Sequence, residues 1–397
     1  MRRTSLRATQ RYQTLQCAAV LYFPPATGRG SIRLPPYSAS LMLSPSSITF
    51  LKRLLDAPAP SGFETAAARV WRAEAETFAE KVTVDVAGNS IAEVNAGGYP
   101  TIMLDGHIDE IGVIVQYIDD DGFIYIAPIG GWDPQVLVGQ RIRFLGNDGD
   151  VIGVVGKKPI HLMKTDDRDH ASKFTDLWVD IGAAKRDEAE RRLSIGDPGV
   201  LDSRTLDFPN DRLVSRSIDD RIGAFIVLEA LRRYAANPGA ARVVAAATTQ
   251  EEIAWHGGGA LVCAHCINPQ IALVVDVTFA TDHPNIDKKE IGEHKMGGGP
   301  IISRGALISP VVHALLRETA KKNDIAHAVH AVGRDTSTNA DAIHIAREGV
   351  ATGLVSIPNR YMHSPNEMVA LADVDNAATL IAEFCKVITR ETDFTAR

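Results

Sequence analysis

Hydrophobic and polar positions follow two different periods along this chain, and the changes of period divide it. Ser47-Ile48-Thr49-Phe50-Leu51-Lys52-Arg53-Leu54-Leu55 places apolar residues at helical spacing and stops at the Pro58/Pro60 pair. Ser61-Gly62-Phe63-Glu64 opens a longer helix to Ala79, strands are expected at 82–86 and 91–94, and an apolar strand ends at Leu104. After Gly112 the pattern becomes short apolar segments at 113–118, 123–126, 142–144, 151–157 and 177–181, divided by turns such as Asp120-Asp121-Gly122. Close spacing of short strands predicts a small β-barrel, interrupted by one helix at about 185–193. Helix–strand alternation then returns: a helical run from Arg221 to Leu231, strands at 242–247 and 271–275, a helix at 309–322, a strand at 325–331, a helix at 340–347, a strand at 351–356 and a closing helix at 373–390. The polar, glycine-rich stretch 287–305 reads as a loop over a pocket.

The expected architecture is therefore α/β, with residues 42–116 and 210–397 forming the main domain and 117–209 a β-barrel domain inserted into it. Residues 1–41 stand apart, with six arginines and no acidic residue, and are expected to be a disordered extension or one added by an upstream start codon chosen in error before Met42. An organellar transit peptide is the other reading, although the Pro24-Pro25 and Pro35-Pro36 pairs interrupt any amphipathic helix.

Composition narrows the function. The whole chain of 397 residues carries a formal charge of −7, and without the six tail arginines 36 basic residues face 49 acidic ones, a balance of −13. That balance argues against nucleic acid as a partner. No stretch approaches the roughly 18 continuous apolar residues of a membrane span, so no membrane partner is expected. Four cysteines, Cys17, Cys263, Cys266 and Cys385, are too few for a disulfide scaffold and suit a reducing, cytoplasmic location. Cys263 and Cys266 have CxxC spacing but no second pair, and are read as helix packing.

Metal-ligand residue types recur at the ends of the apolar strands. His107 and Asp109 follow Thr101–Leu104, Glu251 and Glu252 follow the strand at 242–247, Asp276 follows Leu273-Val274-Val275, and His363 stands in Arg360-Tyr361-Met362-His363-Ser364-Pro365. Ser217-Ile218-Asp219-Asp220-Arg221 opens the most apolar helix. Each has a commonplace explanation alone: acidic residues cap helices, and Asp-Gly-His makes turns. In series they compose a set. Two imidazoles, His107 and His363, and three carboxylates, Asp219, Glu252 and Asp276, serve two ions if Asp219 is shared, since each ion then has one histidine and one carboxylate of its own. Nitrogen and oxygen donors without a thiolate suit Zn²⁺ or Co²⁺, with Mn²⁺ as a further fit. Glu251 remains free to act as a general base, and Asp109 can hold the far ring nitrogen of His107.

The segments Leu104-Asp105-Gly106-His107-Ile108-Asp109-Glu110-Ile111-Gly112, Ser217 to Gly223, Thr249-Gln250-Glu251-Glu252-Ile253, Asp341-Ala342-Ile343-His344 and Arg360 to Pro365 resemble the motif series of the tetrahedral, glutamyl and deblocking aminopeptidases, members of which are also labelled cellulase M or endoglucanase. Ala127 to Trp132, Lys158-Pro159-Ile160-His161 and Asp176 to Gly182 resemble that family's inserted β domain. The resemblance implies a dinuclear metallo-aminopeptidase with a phosphorylase/hydrolase-like α/β/α domain. It also implies a barrel used in dimer contacts, assembly into dodecamers and a cis bond between Asp219 and Asp220. By motif position His107, Asp219, Glu252, Asp276 and His363 match the metal ligands, Glu251 the catalytic carboxylate and Asp109 the aspartate behind His107. Ala254-Trp255-His256-Gly257 and Thr336-Ser337-Thr338-Asn339 depart from the family pattern, and both bear on selectivity rather than chemistry.

The expected activity is hydrolysis of the first peptide bond of short peptides with a free N-terminus, by a homo-oligomer built from dimers. Alternatives are an acylase acting on small N-acyl amides, an endoglucanase on the strength of the family label, and a binding module with a vestigial site. Glycoside hydrolysis uses two carboxylates and no metal.

Overall fold

The structure is a computed structural model and describes residues 43–165, 168, 170–254 and 257–395. Cys17, the rest of the N-terminal extension and the Trp255-His256 pair of the first departure lie outside the described residues. The fold is mixed α/β: an eight-stranded sheet flanked by helices, with a closed six-stranded antiparallel barrel following its third strand.

The sheet holds β1 (Lys81–Val84), β2 (Ser90–Val94), β12 (Arg242–Thr248), β3 (Thr101–His107), β13 (Ile271–Phe279), β16 (Ala351–Asn359), β14 (Ile301–Gly305) and β15 (Ala328–Val332), in that order across it. Four neighbours, β12, β3, β13 and β16, run parallel, so their carboxyl ends share one rim. Their side chains are buried almost throughout, as expected of strands covered on both faces. One face is covered by α1 (Pro45–Asp56), α2 (Thr65–Ala75), α4 (Ile218–Ala235), α7 (Pro310–Lys322) and α9 (Leu371–Val387), which share a core with the strands around Trp71, Phe225 and Phe384. The other is covered by α5 (Gly258–Ile267) and the short α8 (Ala340–Ile343), through Ala260, Cys263 and Ile343. Cys263 and Cys266 sit in α5 as free thiols; Cys263 is buried, in keeping with a packing role, whereas Cys266 is exposed on the helix's outer side and does not pack.

The barrel closes in the order β4 (Gly112–Ile118), β5 (Ile124–Ile129), β8 (Leu177–Asp180), β7 (Gly149–Lys157), β6 (Arg141–Gly146) and β9 (Pro198–Leu201). It has a separate core that includes Val115, Phe144, Leu177 and Val179. Its closing strand β9, paired with both β4 and β6, is absent from the sequence reading because Pro198-Gly199-Val200-Leu201 has too short an apolar run to register. One expectation is corrected. The 287–305 stretch is not a loop throughout: α6 (Lys288–Ile291) and β14 lie within it, and β14 pairs with β15 and β16 through Ile301 and Ile302. A small sheet of β10 (Leu206–Phe208), β11 (Arg212–Ser215) and β17 (Glu367–Ala370) was also unread, its strands being only three or four residues long.

Two features bring α4 against the rim. Gly106, next to the end of β3, lies so close to the helix that a Cβ there would overlap the Gly223–Ala224 peptide. Beside it, the buried Glu110 carboxylate pairs with Arg216 and with Arg221 (2.6 Å), and accepts from the Ala59 backbone N–H (3.1 Å). Arg221, fully buried, also donates to the carbonyls of Ile108 (3.0 Å) and Leu55 (3.1 Å). One carboxylate thus ties together the end of α1, the β3–β4 link and the start of α4. Burial raises the Glu110 pKa, but the two guanidinium groups win and hold it below the ordinary range. Removing it leaves two cations buried with lost partners, so Glu110→Ala is expected to lower unfolding free energy by about 3–5 kcal/mol. Denaturant titration of wild type and variant measures the difference, and a loss below about 1 kcal/mol would refute this role.

Candidate metal centre

The rim gathers side chains from five segments. His107 is the last residue of β3, and Glu251 and Glu252 stand in the turn after β12. Asp276 lies three residues before the end of β13, because that strand runs on to Phe279 by pairing with β16 beyond the stop expected at 275. His363 is in the loop between β16 and β17. Asp219 and Asp220 precede α4's regular turns: both have non-helical backbone angles, and the peptide between them is cis.

Asp219 stands between the two imidazoles. Its Oδ1 is 3.2 Å from His107 Nε2 and its Oδ2 3.3 Å from His363 Nε2. Glu252 Oε2 lies 3.4 Å from the same His363 nitrogen, and Glu251 Oε2 3.8 Å from His107 Nε2. Donor atoms of His107, Asp219 and Glu252 fall within 4.8 Å of one another, and so do those of His107, Asp220 and Asp276. All seven side chains singled out in the sequence thus stand at one rim, with Asp109 behind His107.

Two buried carboxylates hold this arrangement through the backbone. Asp109 accepts from the N–H groups of Glu251 (3.2 Å) and Glu252 (3.1 Å), and its Oδ1 is 3.3 Å from His107 Nδ1, close enough for charge contact although the ring N–H is not well aligned. Glu367 accepts from the N–H of Asp219 and of His363, each at 2.8 Å. His363 has a positive φ of 58°, a backbone state that such a bond helps to hold.

Glu367 and Asp220 were not singled out in the sequence. The one available signal for Glu367 is an acid heading the otherwise apolar Glu367-Met368-Val369-Ala370, and nothing local ties it to Asp219, 148 residues away. Asp220 caps α4 through the Gly223 N–H (3.1 Å) and accepts from the His107 N–H (3.3 Å), so the commonplace capping explanation is correct for one aspartate of the pair.

Seven carboxylates, Asp109, Asp219, Asp220, Glu251, Glu252, Asp276 and Glu367, thus share a largely buried space, and among the described residues none has a Lys or Arg ion-pair partner. Burial, reinforced by neighbouring carboxylates, pushes Glu251 up to about 8 and raises Asp276 and Glu367 well above the ordinary range. Burial also disfavours the charged form of His363, but bonds to Asp219 and Glu252 carry it up to about 11. Asp219 moves the other way, because both imidazoles favour its charged form over the cost of burial. Glu252 Oε1 is buried with no hydrogen-bond partner. An orphaned carboxylate oxygen, a carboxylate spanning two imidazoles, and an excess of buried negative charge together fit divalent cations bound by nitrogen and oxygen. His107, His363, Asp219, Glu252 and Asp276 could hold them.

Residues 88–380 match the sequence model of the M42 glutamyl aminopeptidase family. A lysyl aminopeptidase of Pyrococcus furiosus is 36% identical over 334 residues, covering 83% of this chain and 94% of the relative. The solved structure of a TET aminopeptidase from a marine sediment Thaumarchaeota archaeon has a TM-score of 0.83 at 33% identity, over 87% of this chain and 97% of its own. The TET1 peptidase of Pyrococcus horikoshii, which can assemble into a tetrahedron or a large octahedral shell, has a TM-score of 0.75 at 28% identity, over 86% of this chain and 100% of its own.

The backbone clamp has a measurable consequence. Glu367→Ala should leave the far-ultraviolet circular dichroism unchanged while weakening Zn²⁺ or Co²⁺ binding roughly 10- to 100-fold, the usual effect of removing a group that orients ligands. Chelator competition reads the affinity, and unchanged binding would remove Glu367 from the site.

Proposed function

This chain belongs to the M42 glutamyl aminopeptidase family, a family of peptidases and hence hydrolases, and we propose from that premise that it removes the first residue from short peptides with a free N-terminus. The observation that carries the reading is the Asp219 carboxylate, spanning His107 and His363 inside a carboxylate cluster that has no Lys or Arg partner among the described residues. His107 and Asp276 would hold one divalent ion and His363 and Glu252 a second, with Asp219 shared. Zn²⁺ or Co²⁺ fits these donors best and Mn²⁺ also suits them. When bound, such ions polarise a substrate carbonyl and make a water more acidic.

The chain's own residues supply the rest. Glu251, which the ligand arithmetic leaves over, accepts a proton from the attacking water and returns it to the departing nitrogen. The water oxygen ends on the carbonyl carbon, the C–N bond breaks, and the products are one amino acid and a peptide shorter by one residue. Asp109 holds His107 from behind while fixing the backbone of Glu251 and Glu252, so base and ligand keep their relation.

The oligomer belongs to the same reading. Residues 117–209 would act as an inserted dimerisation domain, supported by exposed Ile152, Val154, Ile160 and Leu162 on and beside the barrel, and a larger shell would follow the Pyrococcus horikoshii relative. The three described cysteines are free, which accords with a cytoplasmic setting. No helix among the described residues is long and apolar enough to cross a membrane.

Two measurements test the reading. Chelator-stripped protein reconstituted with Zn²⁺, Co²⁺ or Mn²⁺ should cleave a peptide with a free N-terminus and spare its acetylated twin; cleavage of the blocked peptide would transfer the function to an acylase or endopeptidase. Glu251→Gln should retain its metal by elemental analysis while kcat falls roughly 10²- to 10⁴-fold, and near-normal turnover would defeat the base assignment.

A further inference from the structure

A cavity of about 650 Å³ has Glu251 and Glu252 in its wall. A larger one of about 1000 Å³ lies along α7 and shares no residue with the carboxylate cluster, so the smaller is the space beside the proposed reaction centre. Its wall offers two kinds of surface. Ile253, Leu261 and Ile345 are apolar, while Asp335, Ser337 and Asp341 bring polar groups from the 335–341 loop. Among the described lining residues there is no Lys, Arg or His, against four carboxylates.

The two loop aspartates differ in what they are already bonded to. Asp341 accepts from the N–H of Thr336 (2.8 Å to Oδ1), from its hydroxyl (2.6 Å) and from the Ser337 N–H (2.9 Å), which fixes the loop. Asp335 is exposed and makes no hydrogen bond or ion pair among the described residues. The anchored aspartate holds the loop, and the other carries an unmatched charge at the cavity.

We infer that this cavity receives the side chain of the substrate's first residue and selects a long cation, lysine or arginine, with Asp335 as the specificity-determining residue. The inference rests on the aminopeptidase reading. A Lys or Arg side chain has an aliphatic stem that can lie along Ile253, Leu261 and Ile345 while its charged head reaches Asp335. A glutamate would bring a fifth carboxylate against a wall with no Lys, Arg or His among its described residues, and like charge without compensation is a penalty against that substrate. A leucine would cover the apolar surface and leave Asp335 to water. The family's glutamyl description therefore does not extend to this pocket.

The test uses the full chain loaded with its working metal and four tripeptides, X-Ala-Ala with X as Lys, Arg, Leu or Glu. Lys and Arg should exceed Leu in kcat/KM by roughly fivefold, the scale of a partly exposed ion pair, and exceed Glu by more than about tenfold. Asp335→Asn should lower the Lys/Leu ratio roughly fivefold, and Asp335→Lys should raise the Glu/Lys ratio well above wild type. Because Asp335 is exposed on a loop, neither change threatens folding. Fastest cleavage of Leu or Glu, or a Lys/Leu ratio that Asp335→Asn does not move, would overturn the inference while leaving the aminopeptidase intact. Metal-dependent release from none of the four would overturn both.

Discussion

The constraint on which this structure depends is the gathering of negative charge where water is scarce. Carboxylates withdrawn from water cost several kcal/mol each unless they are paired or bonded. Here the described cations go elsewhere: Arg216 and Arg221 are committed to Glu110, and the cluster itself has only two imidazoles. What keeps the cluster together is the supply of backbone N–H groups. Asp109 takes two, Glu367 takes two and Asp220 takes two, so three of the seven carboxylates are each neutralised in part by a pair of peptide dipoles. Asp219, Glu251 and Glu252 face the open centre, and Asp276, whose Oδ1 accepts from the Val277 N–H (2.7 Å), stands beside them.

That division of labour explains why the rim is built on a parallel sheet. Four strands pointing the same way share one rim, where His107 at the end of β3, Asp276 near the end of β13, the turn after β12 and the loop after β16 bring their side chains to the same place. The cost of the arrangement falls on α4, which must bring Asp219 to the rim's centre. Gly106 allows the helix to touch β3, and the Glu110 pair with Arg216 and Arg221 holds its first turn. The negative centre and the Glu110–Arg cluster are neighbours with opposite solutions: one has its cations built in, and the other fits cations supplied from outside.

Much of this was legible in the chain because parallel strands leave a linear trace. Each apolar run is long enough to register, and the residue following it is the one that reaches the rim, so His107, Glu251 and Glu252 could be singled out from local pattern. Asp276 was reached by the same logic although its strand runs three residues further, since partners on β16 extend it. What was not legible depends on pairing between distant short segments. β9 closes the barrel with four residues, β14 enters the sheet with five, and Glu367 acts from a four-residue strand whose partner, β11, lies far upstream. A single acid in so short a run carries no periodic signal, and its role comes from a hydrogen bond to a backbone 148 residues away. Asp220 was missed for another reason: one local motif, Asp-Asp before a helix, held two residues with different duties, and spacing alone does not separate them.

On the proposed reading, chemistry and selection would be carried by different kinds of structure. The side chains at the centre sit on strand ends, the turn after β12, the start of α4 and a loop pinned by Glu367, all fixed by elements that cross the core. The cavity beside it shares the turn after β12 and is walled also by the 335–341 loop, held largely by Asp341 accepting from Thr336 and Ser337. A change at Asp335 alters the charge of the pocket without breaking any hydrogen bond the loop depends on, whereas a change at Asp341 removes the bonds that give the loop its shape. Asn339 links the two regions, donating to Asp105 (2.9 Å) beneath His107 and to Thr248 (3.0 Å) at the end of β12. The loop is thus moored to the rim at its far end and free to vary at Asp335, so the residue proposed to read the substrate could change while the centre that would act on it keeps its geometry.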